Sequence, residues 1–269
     1  MTDMLRTLLA PNPSPMTLDG TRTFIVGRER PAVIDPGPSA GGHLSAILDA
    51  LGDHIPVAIL LTHVHGDHSE LAGALSVRTG APVMAAPGGG GEEYLNVSRW
   101  LAHGDAIRTD AGTLHAVATP GHAPDHVSFH WPEAGAVFVG DLLMGEGDTT
   151  LVAPPEGDLA AYLRSLDRIA ALSPTVLYPA HGPPLTDPAE AVARYRRHRE
   201  MRIEQVVRAL RLAGPSRPRE LLDAVYGPEL HPALRSAAEG SLHAILGYLT
   251  AEGLARALPD GRHSLAGDR

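Results

Sequence analysis

The sequence predicts an α+β protein, and three observations predict it. Short apolar runs bounded by Gly and Pro recur through residues 1 to 186, amphipathic helical patterns stand between some of them and dominate the rest, and cation-binding residue types stand repeatedly at the ends of the runs. With 43% hydrophobic residues in a chain of 269, there is material for a sizeable core.

Thr21 to Val26 and Pro31 to Ile34 read as strands joined by the charged turn Gly27-Arg28-Glu29-Arg30, an opening hairpin that ends at Asp35-Pro36-Gly37. Residues 43 to 51 place Leu44, Ile47, Leu48 and Leu51 at helical spacing and stop at Gly52. A buried strand over Val57 to Leu61 follows, then a helix over Ser69 to Thr79 closed by Gly80, then a short strand at Pro82 to Ala85. The loop Pro87 to Gly91 lacks the strand-to-helix setting and the Gly-Lys-Ser/Thr ending of a phosphate cradle, so it reads as flexible and takes no phosphate. Ala106 to Arg108, Thr113 to Thr119, His126 to Trp131 and Ala136 to Val139 are further strands, the last two a hairpin. Asp158 to Leu172 is a helix capped by Asp158, and Asp187 with Pro188 opens a long arginine-rich helix to about Leu212. Arg219 to Val225 and Ala233 to Thr250 are helices, and two short runs flank the turn Pro259-Asp260-Gly261. Helices followed by a ribbon is the order of a winged-helix module.

Composition narrows the chemistry. No cysteine is present, which removes thiolate ligands and a cysteine nucleophile; no lysine is present, which removes Schiff-base chemistry. No apolar run approaches a membrane span and the N-terminus lacks a secretory pattern, so the expectation is a cytoplasmic protein without membrane contact. Net charge is −9, made of −11 over residues 1 to 186 and +2 over residues 187 to 269. A body so acidic attracts little nucleic acid by field alone. In the last helix Arg235 and His243 stand against Glu239 and Glu252, so packing or dimerisation is preferred there over nucleic-acid contact.

The chemistry is concentrated in Thr62-His63-Val64-His65-Gly66-Asp67-His68, three imidazoles and one carboxylate within six residues. His63 and His65 are two apart, so extended backbone points both to one face. Gly66 then permits a sharp turn that carries Asp67 and His68 to a neighbouring position. Three further residues each follow an apolar strand beside Gly or Pro: His122 in Thr119-Pro120-Gly121-His122, Asp141 in Val139-Gly140-Asp141, and His181 in Pro179-Ala180-His181-Gly182. Loops from one sheet edge would bring these to a common point. His126 is a candidate for contact with substrate or with a supporting carboxylate, and Ser39, Thr62 and Tyr178 are candidates for orienting hydrogen bonds. Asp35 reads as a supporting or turn residue, and His43, His54, His103, His115, His130, His198, His231, His243 and His263 as structural or exposed.

With these motifs in order, Asp35 in Ile-Asp-Pro-Gly, the His-x-His-x-Asp-His run, His122, Asp141 and His181, the chain resembles the metallo-β-lactamase superfamily over roughly residues 15 to 185. The resemblance implies a four-layer αβ/βα sandwich with metals at one edge, as a catalytic domain over 1–186, followed by the long helix and winged-helix-like module over 187–269. It implies one ion on His63, His65 and His122, a second on Asp67, His68 and His181, and Asp141 bridging. An Asp in that bridging slot is similar to glyoxalase II-like hydrolases, although the basic glutathione site, which includes lysine, has no counterpart here. Glu146 and Gly147, the Tyr178 to Pro183 stretch, the arginine-rich helix and the tail together resemble the group called β-lactamase-like protein 2, whose members include an RNA-cleaving enzyme and relatives that are polyketide thioesterases.

Imidazole and carboxylate without thiolate suit two zinc ions, and iron or manganese also match these ligand types. Two ions can share a water and present it as hydroxide, with Asp67 the catalytic residue that orients it and passes its proton to the leaving group. The expected activity is therefore metal-dependent hydrolysis of an ester or thioester of a small or carrier-bound acyl compound. The alternative is a single-stranded RNA endonuclease, motivated by Arg194, Arg196, Arg197, Arg199 and Arg202, a run that Glu200 and Glu204 interrupt. A winged-helix DNA-binding regulator with a ligand-sensing metal domain ranks third.

Overall fold

Strand-forming segments and helical segments sort into separate layers in the computed structural model, which describes residues 4–90 and 95–267. One sheet holds β1 (Leu5–Leu9), β2 (Arg22–Val26), β3 (Ala32–Ile34), β4 (Ala58–Leu60), β5 (Val83–Ala85) and β6 (Arg99–Trp100), neighbours in that order. β1 to β3 are antiparallel and β3 to β6 parallel. The other holds β7 (Ala106–Thr109), β8 (Gly112–Ala118), β9 (Val127–Trp131), β10 (Ala136–Gly140) and β11 (Val176–Pro179), antiparallel except for the β10–β11 pair.

The two-residue period of a strand decides what each face meets. Phe24, Val26, Ile34 and Leu60 point between the sheets, against Phe129, Trp131 and Phe138 of the other sheet. The alternate residues Ile25, Val33, Ile59 and Leu61 point outward and pack on Ile47, Leu51 and Leu75, from helices His43–Leu51 and Ala72–Thr79. Behind the second sheet, Val137, Val139 and Leu177 pack on Tyr162 and Leu166 of helix Leu159–Ala171 and on Tyr195 of helix Pro188–Ala213. The order of layers is helix, sheet, sheet, helix. Apolar burial of this kind stabilises by roughly 1.5–3 kcal/mol per large side chain.

Both long helices start where the sequence says. Asp158 accepts from the Ala161 amide at 2.8 Å and Asp187 from the Glu190 amide at 3.1 Å, each satisfying an amide that the first turn leaves unpaired. After the long helix come helices Leu222–Tyr226 and Arg235–Ala251, then a ribbon of β12 (Ala255–Ala257) and β13 (His263–Leu265). Leu242, Ile245, Leu246 and Leu249 join Val206 and Leu210 in the same apolar cluster as β10 and β11. The tail and the sandwich thus share one core.

Several expectations need correction. The opening hairpin is a three-strand meander, because β1 pairs along its whole length with β2. Leu5 to Leu9 shows no polar–apolar alternation, and two-residue β6 is too short to leave a pattern. The helix expected over Ser69 to Thr79 is two helices, Gly66–Ser69 and Ala72–Thr79. In the glycine loop, Gly89 is packed, not free: a Cβ there would sit 2.5 Å from Asp125 and Val64 side-chain atoms. Gly91 of that loop lies outside the described residues. Among the described residues, no helix is long and apolar enough to cross a membrane.

Candidate metal centre

Loops from both sheets meet at one rim of the sandwich. Beyond β4 the chain runs through His63 and His65 into the one-turn helix Gly66–Ser69. The turn expected at Gly66 is a helical one: the Gly66 carbonyl accepts from the Glu70 amide at 3.0 Å, and this turn swings Asp67 and His68 round. His122 lies between β8 and β9, Asp141 directly after β10, and His181 two residues after β11. Backbone bonds stitch the sheets together beside these loops, Val127 N–H to the Thr62 carbonyl at 2.7 Å and Arg22 N–H to the Ala180 carbonyl at 2.7 Å.

The side chains gather in two trios joined by one carboxylate. His65 Nδ1 lies 2.9 Å from His63 Nε2 and 3.1 Å from His122 Nε2. Asp67 Oδ2 lies 3.5 Å from His68 Nε2 and 3.3 Å from His181 Nε2. Between them, Asp141 turns Oδ2 toward His122 Nε2 at 3.7 Å and Oδ1 toward His68 Nε2 at 3.5 Å and His181 Nε2 at 3.3 Å. His63–His65–His122, His63–His68–Asp141 and Asp67–His68–His181 each have donor atoms within 4.8 Å of one another.

Every imidazole is braced from its other side. Asp35 Oδ2 meets His68 Nδ1 at 2.9 Å, while the Asp35 carboxylate also accepts from the Thr62 amide at 2.8 Å and the Thr62 hydroxyl at 2.7 Å. Thr62 Oγ1 is 3.1 Å from His63 Nδ1, the Leu151 carbonyl 2.7 Å from His122 Nδ1, the Gly20 carbonyl 3.1 Å from His181 Nδ1, and Glu156 2.7 Å from His65 Nε2. Such partners fix the ring orientation and select which nitrogen faces inward. His126 is occupied on both sides. Its Nδ1 meets Thr119 Oγ1 at 2.9 Å and its Nε2 accepts from the Asp141 amide at 3.1 Å, so it holds Asp141 and has no nitrogen left for a substrate. Gly140, at φ +50°, makes this approach feasible, since a Cβ there would fall 2.7 Å from His126 Nε2.

The residues present fit a cation. Among the described residues, His68 Nε2, His181 Nε2 and Asp141 Oδ1 are buried without a hydrogen-bond partner, and all three converge on one point. Leaving such groups unsatisfied costs about 1–3 kcal/mol each. Electrostatics gives the same sign. Burial lowers the His181 pKa, but the Asp141 carboxylate outweighs it and raises the ring to about 9. Burial likewise opposes charge on His68, and Asp141 with Asp35 raises it well above the ordinary value. Burial raises Asp67, but His181 and His68 hold it below the carboxylate range, and Asp141 is held down in the same way by His68 and His181. Burial, then His68, lowers His63; burial, then His122, takes His126 down to about 3. Positive charge is favoured between the two carboxylates, where a cation would sit.

His65, Asp67, His122 and Asp141 open into a cavity of about 460 Å³. Part of its wall comes from the C-terminal region, with His198, Arg199, Arg202, Tyr226, Leu230 and Leu234 among the lining residues. Of the orienting candidates, Thr62 is in the cluster, Ser39 donates its amide to Glu70, and Tyr178 packs between Phe24 and Phe138 in the core, at ring separations of 5.7 and 5.2 Å. His198, taken from sequence as structural or exposed, lines the cavity. Sequence reading missed Glu156, whose only signal is a carboxylate beside Gly157 in a loop, and the Gly20 and Leu151 carbonyls, which have no side-chain signal at all.

Histidine and aspartate trios at the shared rim of two stacked sheets, facing a cavity, define a metal-binding hydrolase of the αβ/βα sandwich class. The chain belongs to the metallo-beta-lactamase superfamily, whose pattern matches residues 17–181. It is similar to a beta-lactamase-like protein 2 homolog of Caenorhabditis elegans, 30% identical over 94% of this chain and 86% of that one. It is also similar to an atrochrysone carboxyl ACP thioesterase of Aspergillus chevalieri, 32% identical over 89% of this chain and 78% of that one. Among solved structures, a metallo-beta-lactamase family protein of Thermus thermophilus superposes with a TM-score of 0.80 at 25% identity, covering 98% of this chain and 99% of that one.

Proposed function

We propose that this protein hydrolyses an ester or thioester of a small or carrier-bound acyl compound with two divalent ions, zinc by ligand type, held in the two trios. The observation that carries the reading is Asp141, whose two oxygens face different trios, beside two imidazole nitrogens buried without a hydrogen-bond partner. His63, His65 and His122 would hold one ion and Asp67, His68 and His181 the other, with Asp141 shared. When bound, such ions supply Lewis acidity and acidify water.

This chain's own residues do the rest. Thr62, Asp35, Glu156 and the Gly20 and Leu151 carbonyls keep the rings in register; His126 fixes Asp141 through its amide. Asp67, 30% exposed at its side chain while His68 and His181 beside it are buried, faces the cavity, accepts a hydrogen bond from the attacking water and relays the proton to the departing sulfur or oxygen. The carbonyl carbon gains the water oxygen as its bond to the leaving group breaks. The similarity to an ACP thioesterase supports an acyl thioester as substrate. We assign residues 187–269, winged-helix-like in the order of their elements, to the wall of the substrate cavity, since Arg202, Tyr226, Leu230 and Leu234 line it. Purified protein should contain two ions per chain by mass spectrometry and turn over thioesters faster than β-lactams, lactones or single-stranded RNA. One ion or none in active protein, or RNA cleavage without thioester turnover, defeats the proposal.

A further inference from the structure

The arginine-rich run of the Pro188–Ala213 helix divides by face. Arg196 pairs with Asp167, Arg197 with Glu190 at 2.7 Å, and Arg194 lies 5.9 Å from the centre of the Tyr195 ring. Arg199 and Arg202, three apart and therefore on one face, turn inward. Arg199 is only 3% exposed; it lies 4.9 Å over the Tyr162 ring, donates to the Thr150 carbonyl, and its Nε is buried without a partner. Arg202 lies 4.5 Å from the Tyr226 ring and donates to the Val225 carbonyl at 2.9 Å and to Gln205 at 2.9 Å. Among the described residues neither forms an ion pair with a carboxylate. Asp148 faces the His198 ring at 3.9 Å and is half exposed.

A guanidinium keeps its charge at any ordinary pH, so two of them turned into a cavity with no carboxylate paired to either are costly unless an anion completes them. Their planar forks match carboxylate or phosphate oxygens. Both line the cavity that His65, Asp67, His122 and Asp141 also line, and Met144, Leu151, Leu230 and Leu234 supply apolar lining. We propose that Arg199 and Arg202 form an anion subsite that binds a carboxylate or phosphate carried by the substrate, while its scissile carbonyl lies at the His/Asp end. The identity of that other end rests on the acyl hydrolysis proposed above.

Two matched pairs of probes test this on the full chain. Succinyl and butyryl thioesters of N-acetylcysteamine differ in a terminal carboxylate; butyryl thioesters of phosphopantetheine and pantetheine differ in a phosphate. The charged member of one pair should show a KM lower by about tenfold or more at similar kcat, and in Arg202→Met, which keeps the aliphatic stem, that advantage should shrink to about threefold or less. The pair that responds tells whether the anion sits on the acyl chain or on the thiol arm. Arg199→Met should act likewise; because that residue is buried, Arg202→Met alone decides if it fails to fold. A second readout needs no turnover. Calorimetric titration of succinate and of phosphopantetheine into metal-free protein should show one of them binding, about fivefold or more weaker in Arg202→Met. Turnover of thioesters with no discrimination in either pair overturns the subsite and leaves the hydrolase reading standing. Arg202-dependent binding of a small anion without thioester turnover does the reverse. Equal losses for charged and neutral probes in Arg202→Met indicate a packing role and overturn the proposal. So does Arg202-dependent binding of oligouridylate when neither small anion binds.

Discussion

The two ends of the cavity are built by opposite means. At the His/Asp end, side chains come from four loops of two sheets, and each ring is fixed by a partner behind it. At the arginine end, Arg199 and Arg202 stand on one face of one helix, held by aromatic rings and carbonyls. A site assembled from many loops fails when any one loop shifts, whereas a site on a helix face fails only with its own side chains. The largest test of this contrast is Asp141→Ala, which removes the carboxylate shared by both trios. Activity should fall by at least about 10²- to 10³-fold and the metal content should drop, read by turnover and by mass spectrometry of the same sample. Unchanged metal content would mean that the trios do not depend on their shared member.

The braces rank next. Asp35 is buried, at φ +48°, with both oxygens engaged on Thr62 and one on His68. Asp35→Ala should weaken metal affinity by about 10- to 100-fold, measured by competition with a chelator, although Asp35 belongs to neither trio. Arg202 is held from several sides, by the Val225 carbonyl, Gln205 and the Tyr226 ring, so loss of the Gln205 contact alone should weaken anion binding by about threefold or less, measured by the same calorimetry.

These two ends also differ in how far they can be read from sequence. His63 to His68 announce themselves because they are contiguous, and His122, Asp141 and His181 because each follows an apolar run beside Gly or Pro. Carbonyl braces such as Gly20 and Leu151 leave no trace, since any residue supplies a carbonyl. Arg199 did leave one. Val192, Tyr195, Arg199, Val206 and Leu210 lie on the helix's buried stripe, so a permanent cation occupies a core position at helical spacing. Within a run of five arginines that signal is masked by the outward members and by Glu200 and Glu204, which interrupt the run and make the whole of it look solvated. Most strands and helices were readable from periodicity and the layer order only through the family resemblance, while β1 and β6 were not readable, being held by pairing with neighbours rather than by any pattern of their own.

Asp125 tests the His/Asp end by pH. Its carboxylate accepts from the Val64 amide at 3.0 Å, its other oxygen is buried without a partner, and burial raises its pKa to about 6. An acid whose folded pKa lies above its unfolded value of about 3.9 binds its proton more tightly when folded, so its contribution to stability is present at low pH and is lost as pH rises from about 4 to 6. Asp125→Asn keeps the acceptor for Val64 and removes the charge. In metal-free protein the variant should be more stable than the parent by about 1–2 kcal/mol above pH 6 and equal to it near pH 4, by urea denaturation. A parallel offset at both pH values would show that Asp125 does not titrate across this window.

The smallest effect isolates the arginine end. Asp187 caps the helix that carries Arg199 and Arg202 by accepting from the Glu190 amide, and it touches none of the seven histidine and aspartate residues. Asp187→Ala should cost about 1 kcal/mol of stability, seen as a lower urea midpoint, because one amide of the first turn loses its partner. The helix continues for three turns before Arg199, so fraying of its first turn should leave both guanidiniums in place. Metal content should be unaffected. If Asp187→Ala instead released metal, the two ends would be coupled through the shared core of Val139, Tyr162 and Tyr195, and the helix would be a support of the His/Asp loops as well as the carrier of the arginines.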